Sequence, residues 1–166
     1  MNHKVFKFIL FFLIYVNNGF GQSLPCFTHP LKHLSEPISI YKSPFVYQKE
    51  LYMDDSEEGG YEVCAIRRTS GFIQCCDNIN PTDTFWVQIG DVGVIIQNYN
   101  HDTIPIYDSS TSQTVICALV DSYLGIVYNW NDSMALLKVL DWDWNPIAMG
   151  WLHRKYLCSS PRTTCP

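Results

Sequence analysis

Near its C-terminal end the chain reads Gly150-Trp151-Leu152-His153-Arg154-Lys155-Tyr156-Leu157, and this stretch constrains the fold more than any other. Successive side chains of a strand point to opposite faces, so Trp151 and Leu152 are predicted to lie on opposite sides of a sheet. Gly150 lacks a side chain and is predicted to permit a close approach as the chain enters its last strand. We expect Tyr156 and Leu157 to cover the end of the same small β-structure.

The rest of the chain has the composition of a folded β-protein. Of its 166 residues, 47% are hydrophobic, 14% aromatic and 16% charged, which excludes a disordered polar chain. Turn residues separate short β-branched or aromatic segments, and no long stretch has helical periodicity. The sequence therefore predicts an all-β fold, with strands in segments such as Tyr61–Ile66, Gly71–Cys75, Phe85–Ile89 and Gly93–Tyr99.

The two halves of the chain resemble each other. Five short segments recur in the same order, at offsets between 50 and 66 residues. Residues 38–41, 63–66, 71–73, 86–89 and 93–99 match residues 104–107, 116–119, 125–127, 136–139 and 150–156. Such a repeat indicates two small barrels of about five strands each rather than one large sandwich. The predicted units are a signal peptide at 1–21, a linker at 22–35, repeat 1 at 36–100, repeat 2 at 101–158 and a tail at 159–166.

The second half resembles the bacterial SH3-like (SH3b) domain family. An opening strand and loop at 104–113, a W-x-x-V type strand at Leu136–Val139 and the closing Gly-Trp segment carry the resemblance. The chain departs from the family pattern at Leu136 and Val94, where the family has tryptophan, and both halves lack an R-S-G-P loop. The resemblance implies two tandem SH3-like β-barrels. It also implies a non-enzymatic binding module that recognises a cell-envelope peptide or glycan, or a protein partner.

The first 21 residues have the pattern of a secretory signal peptide. Met1–Lys7 is basic, Phe8–Val16 is apolar, and small residues precede the predicted cleavage site. The apolar run is about half of the ~20 residues that a membrane span needs, so we expect cleavage after Gly21 rather than a retained anchor. Lipid attachment at Cys26 is the weaker alternative, because Pro25 precedes it. The sequence therefore predicts an exported protein, periplasmic or extracellular.

Charge and motifs argue against two classes of function. The net charge of −5 makes a nucleic acid a poor partner. The chain contains neither G-x-S-x-G nor H-E-x-x-H, so we predict no enzymatic activity, no cofactor and no metal. His29 and His33 are interpreted as linker residues, and the acidic run 54–60 only loosely resembles a calcium loop. The alternative function is an inhibitor or immunity-type protein that blocks an envelope hydrolase.

All seven cysteines follow the predicted signal peptide, and an oxidising compartment favours disulfides. A zinc site is disfavoured because the chain has no pair of C-x-x-C motifs. Seven choices of one unpaired thiol and fifteen pairings of the other six give 105 arrangements, so the connectivity stays open. The candidate bridges are Cys64 with Cys75 across a hairpin, and Cys158 with Cys165 in a terminal loop or either of these two with Cys26.

Aromatic residues supply the candidate ligand site. The segment Asp141–Pro146 has turn chemistry between two strands and is predicted to form a hairpin tip. Trp142 and Trp144 would share one side of this tip, where an indole face suits a sugar ring or a proline-like ligand. The full candidate set is Tyr123, Tyr128, Trp130, Asp141, Trp142, Asp143 and Trp144. The alternative is that the tryptophans of the tip pack between the two repeats.

The signal peptide yields the first testable prediction. Cleavage after Gly21 leaves a chain that begins at Gln22, and removal of Lys4 and Lys7 changes the net charge from −5 to −7. Mass spectrometry of the exported protein is expected to find this N-terminus, with or without cyclisation to pyroglutamate. An intact Met1 or a lipid on Cys26 would contradict the prediction.

Overall fold

The computed structural model describes residues 23–28, 36–51, 62–77 and 80–158, and these residues form an all-β fold, as the sequence predicts. A 3-10 turn at Arg154–Tyr156 accompanies the strands. The strands are β1 Leu24–Thr28, β2 Ile38–Ser43, β3 Val46–Leu51, β4 Glu62–Thr69, β5 Phe72–Asp77, β6 Thr84–Gln88, β7 Val92–Ile96, β8 Ile104–Tyr107, β9 Val115–Leu119, β10 Tyr123–Trp130, β11 Met134–Leu140, β12 Pro146–His153 and β13 Leu157–Cys158.

The strands follow one hydrogen-bonded order, β3-β2-β6-β5-β4-β1-β7-β10-β11-β12-β8-β9, and β13 also pairs with β7. Two antiparallel meanders stand out within it, β4-β5-β6 in the first half and β10-β11-β12 in the second. β1 and β7 lie between the meanders and pair with each other. The two halves of the chain are thus joined through backbone hydrogen bonds and not by a linker alone.

Buried side chains from both halves form one continuous core. Val63 and Ile73 come from the first meander and Val127 and Leu137 from the second, and each is at most 1% exposed. Burial of apolar surface is the dominant favourable term in folding, so the shared core couples the stabilities of the two halves. A smaller cluster is formed by Ile95, Leu124, Ile126, Leu140 and Cys158.

β1 corrects one predicted boundary. The sequence predicts a linker at 22–35, whereas residues 24–28 form a strand that pairs with both β4 and β7. Leu24 and Cys26 are buried in the main core. Arg154 holds the start of this strand, because its Nη2 donates a hydrogen bond to the Ser23 carbonyl oxygen at 2.7 Å. Its Nη1 donates to the Asn131 carbonyl oxygen at 3.2 Å, which connects β1 to the second half.

Asn98 fixes the connection between the halves. The side chain is buried, and its Nδ2 donates to the carbonyl oxygens of Asp102 at 2.6 Å and Val120 at 2.8 Å. Its backbone N–H donates to Ser122 Oγ at 3.3 Å. A buried amide satisfied in this way orders the backbone on both sides of it.

Four of the five predicted repeat matches are displaced by one strand in the structure, whereas the first, residues 38–41 in β2 with 104–107 in β8, keeps its position. Residues 63–66 lie in β4, but their predicted counterparts, 116–119, form β9 and not β10. Residues 86–88 lie in β6, whereas their counterparts lie in β11 and not β12. By position within each half, β4 corresponds to β10 and β6 to β12. Short apolar segments look alike in sequence, and they carry no information on which neighbour they pair with.

The closing segment folds largely as predicted. Leu152 is fully buried, and Trp151 on the opposite face of β12 is half-buried. Gly150 lies against β8, where a Cβ atom would meet Ile106 and would stand 2.7 Å from the Tyr107 carbonyl oxygen. The segment is not one strand, however, because a 3-10 turn separates β12 from β13.

The packing of Gly150 yields the second prediction. Gly150→Ala places a methyl group against backbone that cannot move aside, so overpacking is expected to cost about 1–3 kcal/mol or more. Gly125→Ala is the matched control, because its Cβ would meet side-chain ends, Leu137 Cδ1 at 3.0 Å and Val94 Cγ2 at 3.2 Å. Urea denaturation should show the larger loss for Gly150→Ala. Equal losses would contradict the close approach of β8 and β12.

Candidate functional site

A hydrogen-bonded turn forms the tip of the β11–β12 hairpin, as predicted from its sequence. Asp141 Oδ1 accepts hydrogen bonds from the backbone N–H groups of Asp143 at 2.9 Å and Asn145 at 2.8 Å. Its Oδ2 accepts a third from Asn145 Nδ2 at 3.0 Å. These bonds, above all those from Asn145, hold the pKa of the Asp141 carboxyl below its usual value. Asp141 therefore organises the turn, and its carboxylate is occupied within the protein.

The two tryptophans of the tip are exposed. Trp142 is 56% and Trp144 44% accessible, so the alternative in which both are buried between the halves does not hold. Trp142 Nε1 donates to the Ser122 carbonyl oxygen at 3.0 Å, which ties the tip to the β9–β10 connection. Trp144 has φ = 67°, a left-handed conformation that is rare for a bulky side chain. The tip thus displays two indole rings on a defined backbone.

The other predicted site residues do not all join this tip. Tyr123 is next to the Ser122 carbonyl that anchors Trp142, and it packs partly against the main core. Tyr128 packs against the smaller cluster. Trp130 lies opposite Ala135, at the end of the hairpin away from the tip, and it also packs on the main core. The structure therefore groups Tyr123 with residues 141–144 and separates Tyr128 and Trp130 from them.

A second aromatic surface, which the sequence did not predict, lies on the β2–β3 hairpin. Tyr41 contacts Tyr47 edge-on with ring centroids 6.2 Å apart, and it contacts Phe72 of β5 at 5.0 Å. Phe45 contacts the same Phe72 at 4.9 Å while remaining 78% exposed. Phe45 also has a left-handed backbone, with φ = 68°. We call these four residues the hairpin aromatic surface.

Polar groups border the hairpin aromatic surface. The Arg67 guanidinium lies over the Trp86 ring, 5.2 Å from its centroid, and donates a hydrogen bond to Gln74 Oε1. Gln88 Nε2 donates to the Tyr41 hydroxyl at 3.1 Å. In the sequence, the available signal was the turn Ser43-Pro44-Phe45 flanked by two tyrosines. The contact with Phe72 depends on strand order, which that local pattern does not contain.

A cleft of about 510 Å³ opens beside β3 and β6. It is lined by Ile40, Gln48, Lys49, Leu51, Asp77, Thr82, Asp83, Thr84 and Phe85. Asp77 Oδ1 accepts a hydrogen bond from the Asn80 backbone at 3.1 Å, and Asp83 Oδ2 accepts one from Asn80 Nδ2 at 2.8 Å. These two carboxylates therefore stabilise the loop between β5 and β6.

The predicted bridge between Cys64 and Cys75 is not formed. Both residues carry thiols, and β4 pairs with β5 so that Cys64 faces Cys76 while Ala65 faces Cys75. Cys75 is buried in the core, on the opposite face of its strand from Cys76. Cys158 is disulfide-bonded, and Cys165 lies outside the described residues.

The described part of the chain contains no group of three metal-binding side chains. His153 contacts Tyr107 edge-on, with ring centroids 5.8 Å apart. His29, His33 and the acidic run 54–60 lie outside the described residues, as does the predicted signal peptide. Among the residues described, no helix is long and apolar enough to cross a membrane.

Comparison with known proteins assigns no family. No protein-family model and no curated protein matches the chain. Among solved structures, the chain matches NlpC2 from Trichomonas vaginalis with a TM-score of 0.35 and 12% identity. The match covers 88% of this chain and 51% of that one, so the chain spans about half of its length. A likeness at this TM-score carries no conclusion about fold or function.

The turn chemistry of the tip yields the third prediction. The Asp141 carboxyl is expected to titrate below its ordinary pKa of 3.8, because its charged form accepts the hydrogen bonds of the turn. The turn is therefore intact above that value and loosens as the pH falls through the lowered pKa. NMR titration of the Asp141 carboxyl carbon measures this directly. Asn145→Ala removes the principal donor and should move the pKa back toward 3.8, and an unchanged pKa in that variant would refute the assignment.

Proposed function

We propose that this protein is an exported, non-enzymatic binding module whose exposed aromatic loops hold a cell-envelope peptide or glycan, or a protein partner. Two aromatic sites support the proposal, the tryptophan tip of the second half and the hairpin aromatic surface of the first. They belong to different halves of the chain, which accords with two SH3-like units in tandem. SH3-like domains use aromatic side chains in loops to hold extended ligands.

The observation that carries the proposal is the backbone conformation of Phe45 and Trp144. Each has φ near +67° and an exposed ring, 78% and 44% accessible respectively. A side chain in this conformation costs about 1–2 kcal/mol, which glycine avoids. Neither side chain is fully buried, so burial does not offset that strain. Strained residues of this kind concentrate at binding sites, so a contact outside the chain accounts for the aromatic rings at both positions.

The chemistry of the tip suits an extended ligand with flat apolar faces. The Trp142 N–H is occupied by the Ser122 carbonyl, so its exposed area is mainly ring. An indole face stacks on a sugar ring or on a proline-like residue. The carboxylate of Asp143 lies between the two tryptophans in sequence and is exposed, whereas that of Asp141 is committed to the turn. Asp143 is therefore the residue available to orient a hydroxyl, an amide or an amine of the ligand.

Two features support the proposed export. The signal-like N-terminus and the cysteine content fit an oxidising compartment.

Cys26 is fully buried in the centre of the sheet, between Leu24 and the Val63 that faces it on β4. Lipid attachment at Cys26 would remove the residues before it, including Leu24, and would place an acyl chain in the core. A soluble exported form is favoured for this reason.

The fourth prediction tests the tryptophan tip with Trp144→Gly. Glycine removes the indole ring and also relieves the left-handed backbone, so the melting temperature is expected to stay equal or rise. Retention of envelope glycan–peptide fragments or envelope proteins on the immobilised protein should fall at least tenfold. The double variant Trp142→Ala, Trp144→Ala is expected to abolish retention.

Trp151→Ala is the matched control. It removes a half-buried tryptophan of β12 outside the tip, so it should lower the melting temperature while leaving retention intact at temperatures where it is folded. If the Trp144→Gly variant binds as well as the wild type, the role of the tip in ligand binding is refuted. Absence of retention by the folded wild type for every envelope fraction would overturn the proposed function.

A further inference from the structure

We propose that Cys64 and Cys76 form a disulfide site that joins β4 to β5 across the outer face of the sheet. The two residues are direct partners in the antiparallel pairing of these strands. Directly opposed residues have Cα atoms about 4.5–5.5 Å apart, within the range that a disulfide bridges. The inference is independent of any ligand that the aromatic sites bind.

A β-bulge creates this pair. The register shifts between Ala65 and Arg67, so that Arg67 faces Gln74 while Ala65 faces Cys75. If the register of residues 67–69 continued along β4 without the shift, Cys64 would face Asp77 instead of Cys76. The extra residue therefore brings two cysteines into opposition on one face.

The other described thiols are not placed to compete. Cys75 neighbours Cys76 in the chain but points to the opposite face. Cys26 lies on β1, with β4 between it and Cys75, and two strand spacings of about 4.8 Å exceed the reach of a disulfide. Cys26 faces Val63 and not Cys64 across the β1–β4 pairing. Cys117 lies on β9, which is hydrogen-bonded to β8.

The thiols on the two faces of the sheet differ in burial, and therefore in how readily an oxidant reaches them. Cys26 and Cys75 are fully buried, and desolvation raises the pKa of both thiols well above the ordinary value. Desolvation raises the pKa of the Cys64 thiol as well, but Cys64 is only half-buried, and Cys76 is 8% exposed. An attacking oxidant therefore reaches Cys64 first, and its opposed partner completes the reaction.

The reaction is a thiol–disulfide exchange with a small disulfide such as oxidised glutathione. The Cys64 thiolate attacks one sulfur, forms a mixed disulfide and releases one glutathione thiolate. The Cys76 thiolate then attacks the Cys64 sulfur and releases the second glutathione. The protein loses two thiols and two electrons, and the disulfide reagent becomes two thiols that take up the two protons.

The bond would tie together strands that carry the hairpin aromatic surface. Phe72 alternates with Gln74 and Cys76 on the same face of β5, and Phe72 is the ring on which Tyr41 and Phe45 pack. The bond would lie at the opposite end of β5 from Phe72. Closing it therefore restrains the strand that carries this ring. Its effect is on the free energy of unfolding, because a cross-link reduces the conformational freedom of the unfolded chain.

The fifth prediction uses the full chain, reduced and then equilibrated with oxidised glutathione. Differential alkylation followed by peptide mapping should find a cross-link between Cys64 and Cys76 in the wild type besides the bond that Cys158 makes, and the Cys64–Cys76 cross-link should add roughly 5–10 °C to the melting temperature. Cys75→Ala is the matched control because it removes the adjacent thiol on the opposite face. It should retain both the cross-link and the rise in melting temperature relative to its own reduced form.

Cys64→Ala and Cys76→Ala should each lose the cross-link and the rise, and Cys117→Ala should lose neither. A cross-link of Cys64 that persists in Cys76→Ala would overturn the proposal, and so would loss of the Cys64–Cys76 cross-link in Cys75→Ala while that variant is folded by circular dichroism. Complete alkylation of Cys64 and Cys76 in the folded wild type after equilibration would also overturn the proposal, because it shows that both thiols stayed reduced. Disulfide-linked dimers that disappear in Cys117→Ala, without the internal bond, would likewise refute it.

Discussion

The burial of β7 on both faces is the constraint on which the rest of the fold depends. All five of its residues, Val92 to Ile96, are buried, and the strand has no charged residue. Val92, Val94 and Ile96 belong to the main core, whereas Ile95 belongs to the smaller cluster. A strand that is apolar on both faces cannot lie at the edge of a sheet. It therefore needs partners on each side, and β10 supplies one of them.

The other side of β7 is shared by two strands from opposite parts of the chain. β1 pairs with Val92 and Gly93, and β13 pairs with Ile95 and Ile96. The carbonyl of Tyr156 adds a bond from the Gln97 N–H at 2.8 Å, just beyond β7. This arrangement explains why the two halves share one core although each contains its own meander. It also explains why a strand as short as β13 is ordered.

Local features of the fold could be predicted from the sequence, but the residues and strands that pair across the fold could not. The alternation of Trp151 and Leu152, the close approach at Gly150 and the turn at 141–145 depend on residues near in sequence, and each is found in the structure. The sequence predicts a linker where β1 lies, because the partners of this strand lie far along the chain. In the candidate site, the hairpin tip follows from turn chemistry, but the sequence leaves open whether its tryptophans are exposed or packed between the halves. The hairpin aromatic surface does not follow from the local sequence, because Phe72 reaches it through strand order. The partner of Cys64 depended on a bulge that the sequence does not reveal.

The shared edge of β7 has a consequence for how the chain acquires its structure. Residues 27–28 and 157–158 occupy neighbouring sites on one strand, so the closing contacts have large separations along the chain. Contacts of this kind slow folding, because most of the loop entropy is lost before they are made. A nascent chain cannot complete this edge until β13 has emerged. Until then the apolar residues of β7 are a surface on which a chaperone can act and at which aggregation can begin.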